Sequence, residues 1–330
     1  MDGRRILALV VALNVAAWGW AWIFFSRNPL LLGAALLAYS LGLRHAVDAD
    51  HLAAIDNVVR TLTQERGRPV AVGFWFSLGH STVVVIGAEA IAVSALALQH
   101  HMKGVAAIGG TIGTLVSALF LLAIGAANWV VFCAVRRAFQ RVRQGGAASE
   151  EDLNVLLAGR GFLARIFRPL FRLIRRSWHM YPLGVLFGLG FDTATEIGLL
   201  GLSAAEAAKG LSAGAILIFP ALFAAGMALV DTADNLLMLG AYGWAFQKPV
   251  RKLYYNMTIT GISVLVALAV GGIEVLGLAA AHLGSAGPFW TGVARLNGNF
   301  GDLGYVILAI FALSWIASAA IYRWRRYDAM

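Results

Sequence analysis

The chain has 330 residues, of which 60% are hydrophobic and only 13% are charged, and its mean hydropathy is +0.75. This composition excludes an ordinary soluble domain, in which about a quarter of the residues are charged. The net charge of +9 does not indicate a nucleic-acid partner, because the Lys and Arg residues cluster between apolar segments. The sequence therefore predicts a multi-span membrane protein, with the lipid bilayer as its main surroundings.

Eight apolar segments are long enough to cross a membrane. In chain order they are 6–25, 31–59, 69–98, 105–135, 182–203, 211–245, 254–283 and 303–323. The first begins like a secretory signal peptide, but its apolar run reaches Phe25 and more spans follow, so it is interpreted as an uncleaved helix. The expected fold is an all-α membrane protein, a polytopic bundle of about eight transmembrane helices.

A basic segment divides the chain into three parts. Residues 1–135 hold the first four helices, 136–181 form a polar linker with ten arginines, and 182–330 hold the last four helices. Alternating apolar and basic residues in the linker are typical of amphipathic helices that lie on anionic lipid. A solvated cytoplasmic linker is the alternative, and both interpretations stay open.

The basic residues also predict the orientation. With eight spans, both termini lie on one side of the membrane, and that side holds 21 of the 26 Lys and Arg residues. They include a cluster of Arg60, Arg66 and Arg68 between the second and third predicted helices. Because cytoplasmic loops carry the excess of Lys and Arg, the N- and C-termini are expected in the cytoplasm and the chain in the cytoplasmic (inner) membrane.

Two segments of the chain resemble each other. Residues 73–87 align without gaps on 184–198, and seven of the fifteen positions are identical. A repeat of this kind would put Asn128 near the place of Asn235. Transporters bind their substrates at the interfaces between such repeats.

Nine of the seventeen acidic residues fall inside the predicted spans, where Arg44 is the accompanying fixed cation. The nine are Asp48, Asp50, Asp56, Glu89, Asp192, Glu196, Asp231, Asp234 and Glu274. Each uncompensated charge at the bilayer centre costs about 2.5–3.5 kcal/mol, so a surplus of eight would cost at most about 20–30 kcal/mol. Protons, water or a bound cation must therefore compensate these acids.

Four of these acids form two pairs. The members of each pair are three or four residues apart and share one helix face, and a threonine follows the first acid. The pairs are Asp192 with Glu196 and Asp231 with Asp234, and the threonines are Thr193 and Thr232. One isolated acid is often a protonated, hydrogen-bonded contact between helices, but two pairs beside a histidine-rich helix favour a cation site.

The second predicted helix carries the stretch "LRHAVDADHLAAID" at 43–56. At about 100° per residue, one broad face holds its arginine, both histidines and two aspartates, whereas Asp50 points away. The residues of that face are Arg44, His45, Asp48, His51 and Asp56. Either the helix is broken here, as in discontinuous transporter helices, or Asp50 contacts another helix. His80, in "FSLGHST", supplies a third imidazole.

Imidazole and carboxylate together suit Ni(II), Co(II), Zn(II) or Mn(II), whereas Na⁺ or Ca²⁺ would need oxygen ligands alone. The single cysteine, Cys133, excludes a thiolate-rich site and an internal disulfide. The expected first ligands are His45, His51 and Asp50, followed by His80. Affinity alone would favour Cu(II), so selectivity must come from geometry.

Four segments resemble, in order, the motifs of the nickel/cobalt transporter family (NiCoT), permeases with an HX4DH signature. They are "RHAVDADHLAAIDN", "GFWFSLGHSTVV", "LGFDTATEI" and "GMALVDTADN". The family's signature residues map to His45, Asp48, Asp50, His51, His80, Asp192, Glu196, Asp231 and Asp234. Supporting roles are assigned to Arg44, Asn128, Thr193, Thr232 and Asn235.

The resemblance implies eight transmembrane helices with cytoplasmic termini, and secondary uptake of Ni²⁺ or Co²⁺ as the transported substrate. It implies no cofactor, no enzymatic activity and no ATPase subunit, and the chain has no G-x-x-x-x-G-K-[ST] phosphate loop. Two other functions are weighed against uptake. One is efflux of a divalent transition metal through a similar cluster. The other is a membrane acyltransferase in which His45 acts as a base oriented by Asp50, a reading that leaves the acid pairs unexplained.

Overall fold

The computed structural model describes residues 2–93, 99–143, 174–189, 194–245, 249–283 and 287–324. Helices make up nearly all of these residues, and no strand occurs among them. The predicted all-α class is therefore confirmed for the described part of the chain. The predicted linker, 136–181, lies mostly outside it.

Twelve α-helices lie in the described ranges, together with a 3₁₀ turn at Ser177–His179. In chain order the helices are α1 Gly3–Phe25, α2 Pro29–His45, α3 Ala49–Arg66, α4 Val72–Val93, α5 Gln99–Arg143, α6 Met180–Gly188, α7 Ala194–Ala208, α8 Ala213–Ile216, α9 Ile218–Ala245, α10 Pro249–Leu283, α11 Pro288–Gly298 and α12 Phe300–Trp324.

The predicted helix 31–59 is not continuous. The Asn28 side chain caps the start of α2, where Pro29 occupies the first turn. This helix ends at His45, and α3 begins at Ala49 after a bend of 52°. Asp48, at the start of α3, has an extended backbone with ψ of 148°. The sequence left two alternatives, a broken helix or an Asp50 that contacts another helix, and the structure shows the broken helix.

Four segments of the described residues are long and apolar enough to cross a membrane. The number of candidate spans becomes six if each of two bent helix pairs is counted as one span. The four are Gly3–Phe25, Thr114–Arg137, Ala213–Tyr242 and Met257–His282. The bent pairs are Pro29–His45 with Asp50–Thr63, and Pro288–Gly298 with Asp302–Ser314. Large apolar side chains such as Ile23, Leu265 and Leu313 lie exposed on these segments. Such surfaces are expected where helices face lipid.

Helix α9 connects the two apolar cores and packs against α1, α2, α3 and α4. Its first half lies in one core, where Phe219 stacks on Phe25 with ring centroids 5.6 Å apart. Its second half lies in the other core, through Met238 and Leu239. Asp231 falls between these two halves, fully buried. A polar group at this point is therefore enclosed by the bundle.

Glycines allow α4 to approach its neighbours closely. A Cβ atom on Gly73 would meet the backbone carbonyl of Asp231 in α9, and one on Gly79 would meet that of Tyr181 in α6. Close backbone approach through small residues is a common way in which membrane helices associate. The helix that carries His80 is thus held against both α6 and α9.

Side-chain contacts fix the relative directions of the helices. Helix α9 runs antiparallel to α1 and α4 and parallel to α3, while α4 runs parallel to α6 and α5 runs antiparallel to α10. For α9 the contacts are Gly3–Leu236 and Asn14–Ala225 with α1, Gly73–Asn235 and Ser77–Asp231 with α4, and His51–Asp231 and Asp56–Tyr242 with α3. Those between α4 and α6 are Phe76–Gly184 and His80–Gly188, and those between α5 and α10 are Ser117–Glu274 and Phe132–Gly261.

Candidate metal site

Three histidines from three helices meet inside the bundle, and we call them the histidine cluster: His45, His51 and His80. His45 ends α2, His51 lies in the first turn of α3, and His80 lies in α4. Their ring centroids are 4.7 Å, 4.7 Å and 4.9 Å apart, and each residue is at most 2% exposed. One ligand atom from each falls within 4.8 Å of the others. The bend between α2 and α3 brings the first two rings together.

Carboxylates hold the Nδ1 atoms of two of these rings. The Nδ1 atom of His45 is 3.0 Å from Asp48, and that of His51 is 3.2 Å from Asp231. Asp231 also accepts a hydrogen bond of 2.6 Å from the Ser77 hydroxyl. A carboxylate that accepts the Nδ1 proton leaves the Nε2 lone pair free for a metal, and it makes that nitrogen a stronger ligand.

The Nε2 atoms converge with an acid from α7. The Nε2 atom of His80 lies 2.9 Å from that of His45 and 2.9 Å from the Glu196 carboxylate, which is 3.9 Å from His45. Two ligands at about 2.1 Å from one ion are about 3.0 Å apart at a right angle and about 3.4 Å apart at a tetrahedral angle. The two separations of 2.9 Å from His80 are close to those of ligands that share one cation at a right angle, whereas the 3.9 Å between His45 and Glu196 would need a wider angle.

Several buried polar atoms of the site have no hydrogen-bond partner among the described residues. They are Nε2 of His51, Nδ1 of His80, Oδ1 of Asp231 and Oδ1 of Asp50. Leaving such atoms unpaired costs about 1–3 kcal/mol each. Phe76, with its ring centroid 4.8 Å from that of His51, closes one side with an apolar wall. The site is thus enclosed by protein, rich in polar donor atoms and suited to a cation.

The mixture of donors limits which cation fits. Imidazole nitrogens with carboxylate oxygens suit Ni(II), Co(II), Cu(II) and Zn(II), whereas Mg²⁺ and Ca²⁺ prefer oxygen alone. Cys133, the one thiol of the chain, lies in α5 and not among these donors. The site therefore fits a divalent transition metal of intermediate softness.

Comparison with known proteins gives the family. Residues 31–321 match the NicO family model, whose description is high-affinity nickel-transport protein. The chain belongs to the NicO family. It is 60% identical, over 323 residues, to a high-affinity nickel transport protein of Cupriavidus necator, covering 98% of this chain and 92% of that protein.

Two further relatives of this NicO chain differ in their names. One is the hydrogenase nickel incorporation protein HupN of Bradyrhizobium diazoefficiens, 52% identical over 95% of this chain and 82% of that protein. The other is the cobalt transport protein NhlF of Rhodococcus rhodochrous, 42% identical over 95% of this chain and 91% of that protein. No solved structure matches the chain. The predicted family is confirmed, and the acyltransferase alternative is not favoured.

The remaining predicted site residues of the NicO chain lie in different surroundings. Asp50 and Asp234 each have one buried carboxylate oxygen, and Thr232 has a buried hydroxyl. None of these three atoms has a hydrogen-bond partner among the described residues. Asp192 and Thr193 lie outside the described residues. Their roles, and that of Asp50 as a ligand, stay predictions.

The two predicted asparagines have structural contacts. Asn235 accepts a hydrogen bond from the Gly73 amide and donates one to the Pro69 carbonyl, so it fixes the start of α4 against α9. Asn128 donates a hydrogen bond of 2.7 Å to the side chain of Asn57.

Two hydroxyl residues of the site were missed by the sequence analysis. Ser77 hydrogen-bonds Asp231, and the Thr195 hydroxyl lies 3.1 Å from Nδ1 of His45. Both lie inside the motif segments, and Ser77 precedes His80 by three residues, hence on the same helix face. This three-residue spacing could have indicated from the sequence that Ser77 lies beside the histidine.

The prediction that Arg60 lies between the second and third helices, with Arg66 and Arg68, is wrong. This arginine lies within α3 and is 1% exposed, and its guanidinium donates to Thr260 at 3.0 Å and to Asn57. It also interacts favourably with the charge of Asp56, which accepts hydrogen bonds from Tyr242 and from Ser263. We call these residues the Asp56–Arg60 cluster. Burial of its positive charge offsets part of the acidic surplus inside the bundle.

Proposed function

We propose that this NicO chain is a secondary transporter that imports Ni²⁺ or Co²⁺ through the histidine cluster. The observation that carries the proposal is the convergence of three buried imidazoles from separate helices, two of them held at Nδ1 by carboxylates. Membership in the NicO family and the names of the nickel and cobalt relatives support it.

We assign the ligands as the Nε2 atoms of the histidine cluster with an oxygen of Glu196. Asp48 and Asp231 orient the rings of His45 and His51. An arriving hydrated ion would exchange its waters for these donors. The remaining acids of the signature would attract the ion and balance its charge, and they are Asp50, Asp192 and Asp234.

The proposed topology has eight crossings with both termini in the cytoplasm of the inner membrane. It treats α2 with α3, and α6 with α7, as two broken spans. The antiparallel and parallel helix pairs agree with eight alternating crossings. So does the positive-inside rule, because the predicted cytoplasmic side carries most of the Lys and Arg residues.

The membrane potential supplies a sufficient driving force. A divalent cation that enters an inside-negative cell gains about 4.6 kcal/mol per 100 mV, twice the value for one charge. Accumulation therefore needs neither an ATPase subunit nor a coupled ion.

The decisive experiment measures radioactive nickel uptake by metal-starved cells that express the chain, with Co²⁺ as competitor. We expect uptake that His51→Ala reduces at least tenfold. His282→Ala, an exposed histidine in α10, is the matched control and retains wild-type uptake. Equal uptake by His51→Ala and the wild type would contradict the proposal. Faster loss of preloaded nickel on expression would indicate efflux instead.

A further inference from the structure

Arg44 lies between two carboxylates next to the histidine cluster. Its guanidinium is 3.1 Å from Asp48 and 3.4 Å from Asp302, and it lies 5.4 Å from the ring centroid of Tyr305. The Arg44 side chain is 34% exposed and that of Asp302 is 74% exposed, whereas Asp48 is buried. The arginine therefore reaches from the buried site to the surface.

Asp48 connects this arginine to the metal site. One of its oxygens accepts from Arg44, while the other is the partner of the His45 Nδ1 atom. A positive charge at this carboxylate weakens its hold on the histidine proton and repels a cation that approaches the site. Displacing the guanidinium has the opposite effect on both.

The guanidinium contacts its partners on α12 at the same time as Asp48, so it can leave Asp48 and stay anchored on α12. Asp302 and Tyr305 lie in the first turns of that helix, which packs closely on the break in the HX4DH segment. A Cβ atom on Gly304 would meet the backbone carbonyl of Val47, within the break. The anchor on α12 is thus fixed relative to the histidine cluster.

We propose that Arg44 is the gate at the mouth of the metal site and that Asp302 sets how readily it opens. In the closed arrangement the guanidinium neutralises Asp48, the carboxylate that orients the His45 ring. When a divalent cation arrives, the guanidinium moves toward Asp302 and the Tyr305 ring, which frees Asp48. This inference rests on the proposed function, because it assigns a positioning role for the same transported ion.

The test compares Asp302→Asn, Arg44→Gln and the double variant by the concentration dependence of nickel uptake. Without its anchor the guanidinium stays on Asp48, so Asp302→Asn raises KM about two- to fivefold, the effect of one part-exposed ion pair. The maximal rate stays the same. Asp302→Glu keeps the carboxylate and recovers the wild-type KM. Asp2→Asn, which changes an exposed acid remote in sequence, controls for surface charge.

The double variant decides between two roles of Asp302. If Asp302 acts through Arg44, Asp302→Asn has no further effect once Arg44→Gln is present. If Asp302 attracts nickel directly, it raises KM by the same factor in both backgrounds, and the inference is overturned. An unchanged KM in Asp302→Asn also overturns it. His51→Ala runs beside these variants: equal uptake by His51→Ala and the wild type would refute the proposed function itself, and the gate with it.

Discussion

Each histidine of the site has a different set of neighbours around its ring. His45 and His51 each have a carboxylate at Nδ1, whereas the Nδ1 atom of His80 has no hydrogen-bond partner among the described residues. A ring held at Nδ1 keeps one tautomer and one orientation. His80 lacks this second contact, and its ring is held instead through Nε2, which lies 2.9 Å from Glu196.

Asp231→Asn tests whether the carboxylate orients His51. The amide keeps the size of the side chain but is a weaker acceptor for the Nδ1 proton, so we expect nickel affinity to fall about 10–100-fold. Calorimetric titration of the purified transporter with nickel measures this affinity. Asp2→Asn, at an exposed position, is the control. Unchanged affinity in Asp231→Asn would show that the carboxylate does not support the ligand.

The sequence predicted the three histidines of the site but not how they pair. His45, His51 and His80 were identified because imidazoles are rare within apolar segments. The contact between His51 and Asp231 joins residues that are 180 positions apart, so only the packing of α3 on α9 creates it. Glu196 was predicted as part of a cation site, and its contact with His80 likewise depends on packing.

At the scale of the helices, the break after His45 brings two histidines of one motif together in the histidine cluster. Hydrophobic periodicity predicted a helix here because it sees only local spacing. In a straight helix Asp50 would point away from His45 and His51, so the sequence left a broken helix as one of two alternatives. The break also packs against α12, where Gly304 lies on the carbonyl of Val47, and such a contact leaves no signal in the local sequence.

Gly79→Ala tests the close contact of α4 with α6. Alanine is the better helix former by about 1 kcal/mol, but its methyl group would collide with the Tyr181 carbonyl. We expect a net loss of about 1–3 kcal/mol of stability from this overpacking. Thermal unfolding in detergent, reported as Tm, measures it. Gly201→Ala, where nothing lies within 4 Å, is the matched control and should be neutral or stabilising.

If both glycine variants unfold at the same temperature, α4 does not need the small residue for its packing. A lower Tm for Gly79→Ala alone supports the close approach that holds His80 in place.

The Asp56–Arg60 cluster ties α3 to α9 and α10 beside the metal site. Asp56→Ala removes the acceptor of the Tyr242 and Ser263 hydroxyls and leaves the buried guanidinium without its nearby counter-charge. A loss of about 3–5 kcal/mol is expected, as for breaking a buried charge pair. Adding Arg60→Met to this variant should recover part of that loss. Unfolding in denaturant measures both, and purely additive losses would contradict the coupling.

At the scale of the whole molecule, the proposed eight crossings put both termini on one side of the membrane. Cysteines introduced by Asp2→Cys, Ala286→Cys and Asp328→Cys test this after Cys133→Ala removes the native thiol. In intact cells, a membrane-impermeant maleimide should label the cysteine at 286 alone, because that position precedes the last crossing. Labelling at either terminus without permeabilisation would contradict the orientation.

The driving force of the whole transporter is tested in vesicles with an imposed potassium diffusion potential. If the ion crosses alone, its two charges give a tenfold change in the accumulation ratio for about every 30 mV, or about 2,000-fold at 100 mV. Exchange of each ion for one proton moves a single net charge, so a tenfold change would then need about 60 mV. We expect the steeper dependence, because no charge other than that of the metal needs to cross. Vesicles with His51→Ala supply the background leak. A dependence of about 60 mV for each tenfold change in the accumulation ratio would contradict uniport and identify a counter-transported proton. An accumulation ratio that does not change with the membrane potential would require an electroneutral exchange.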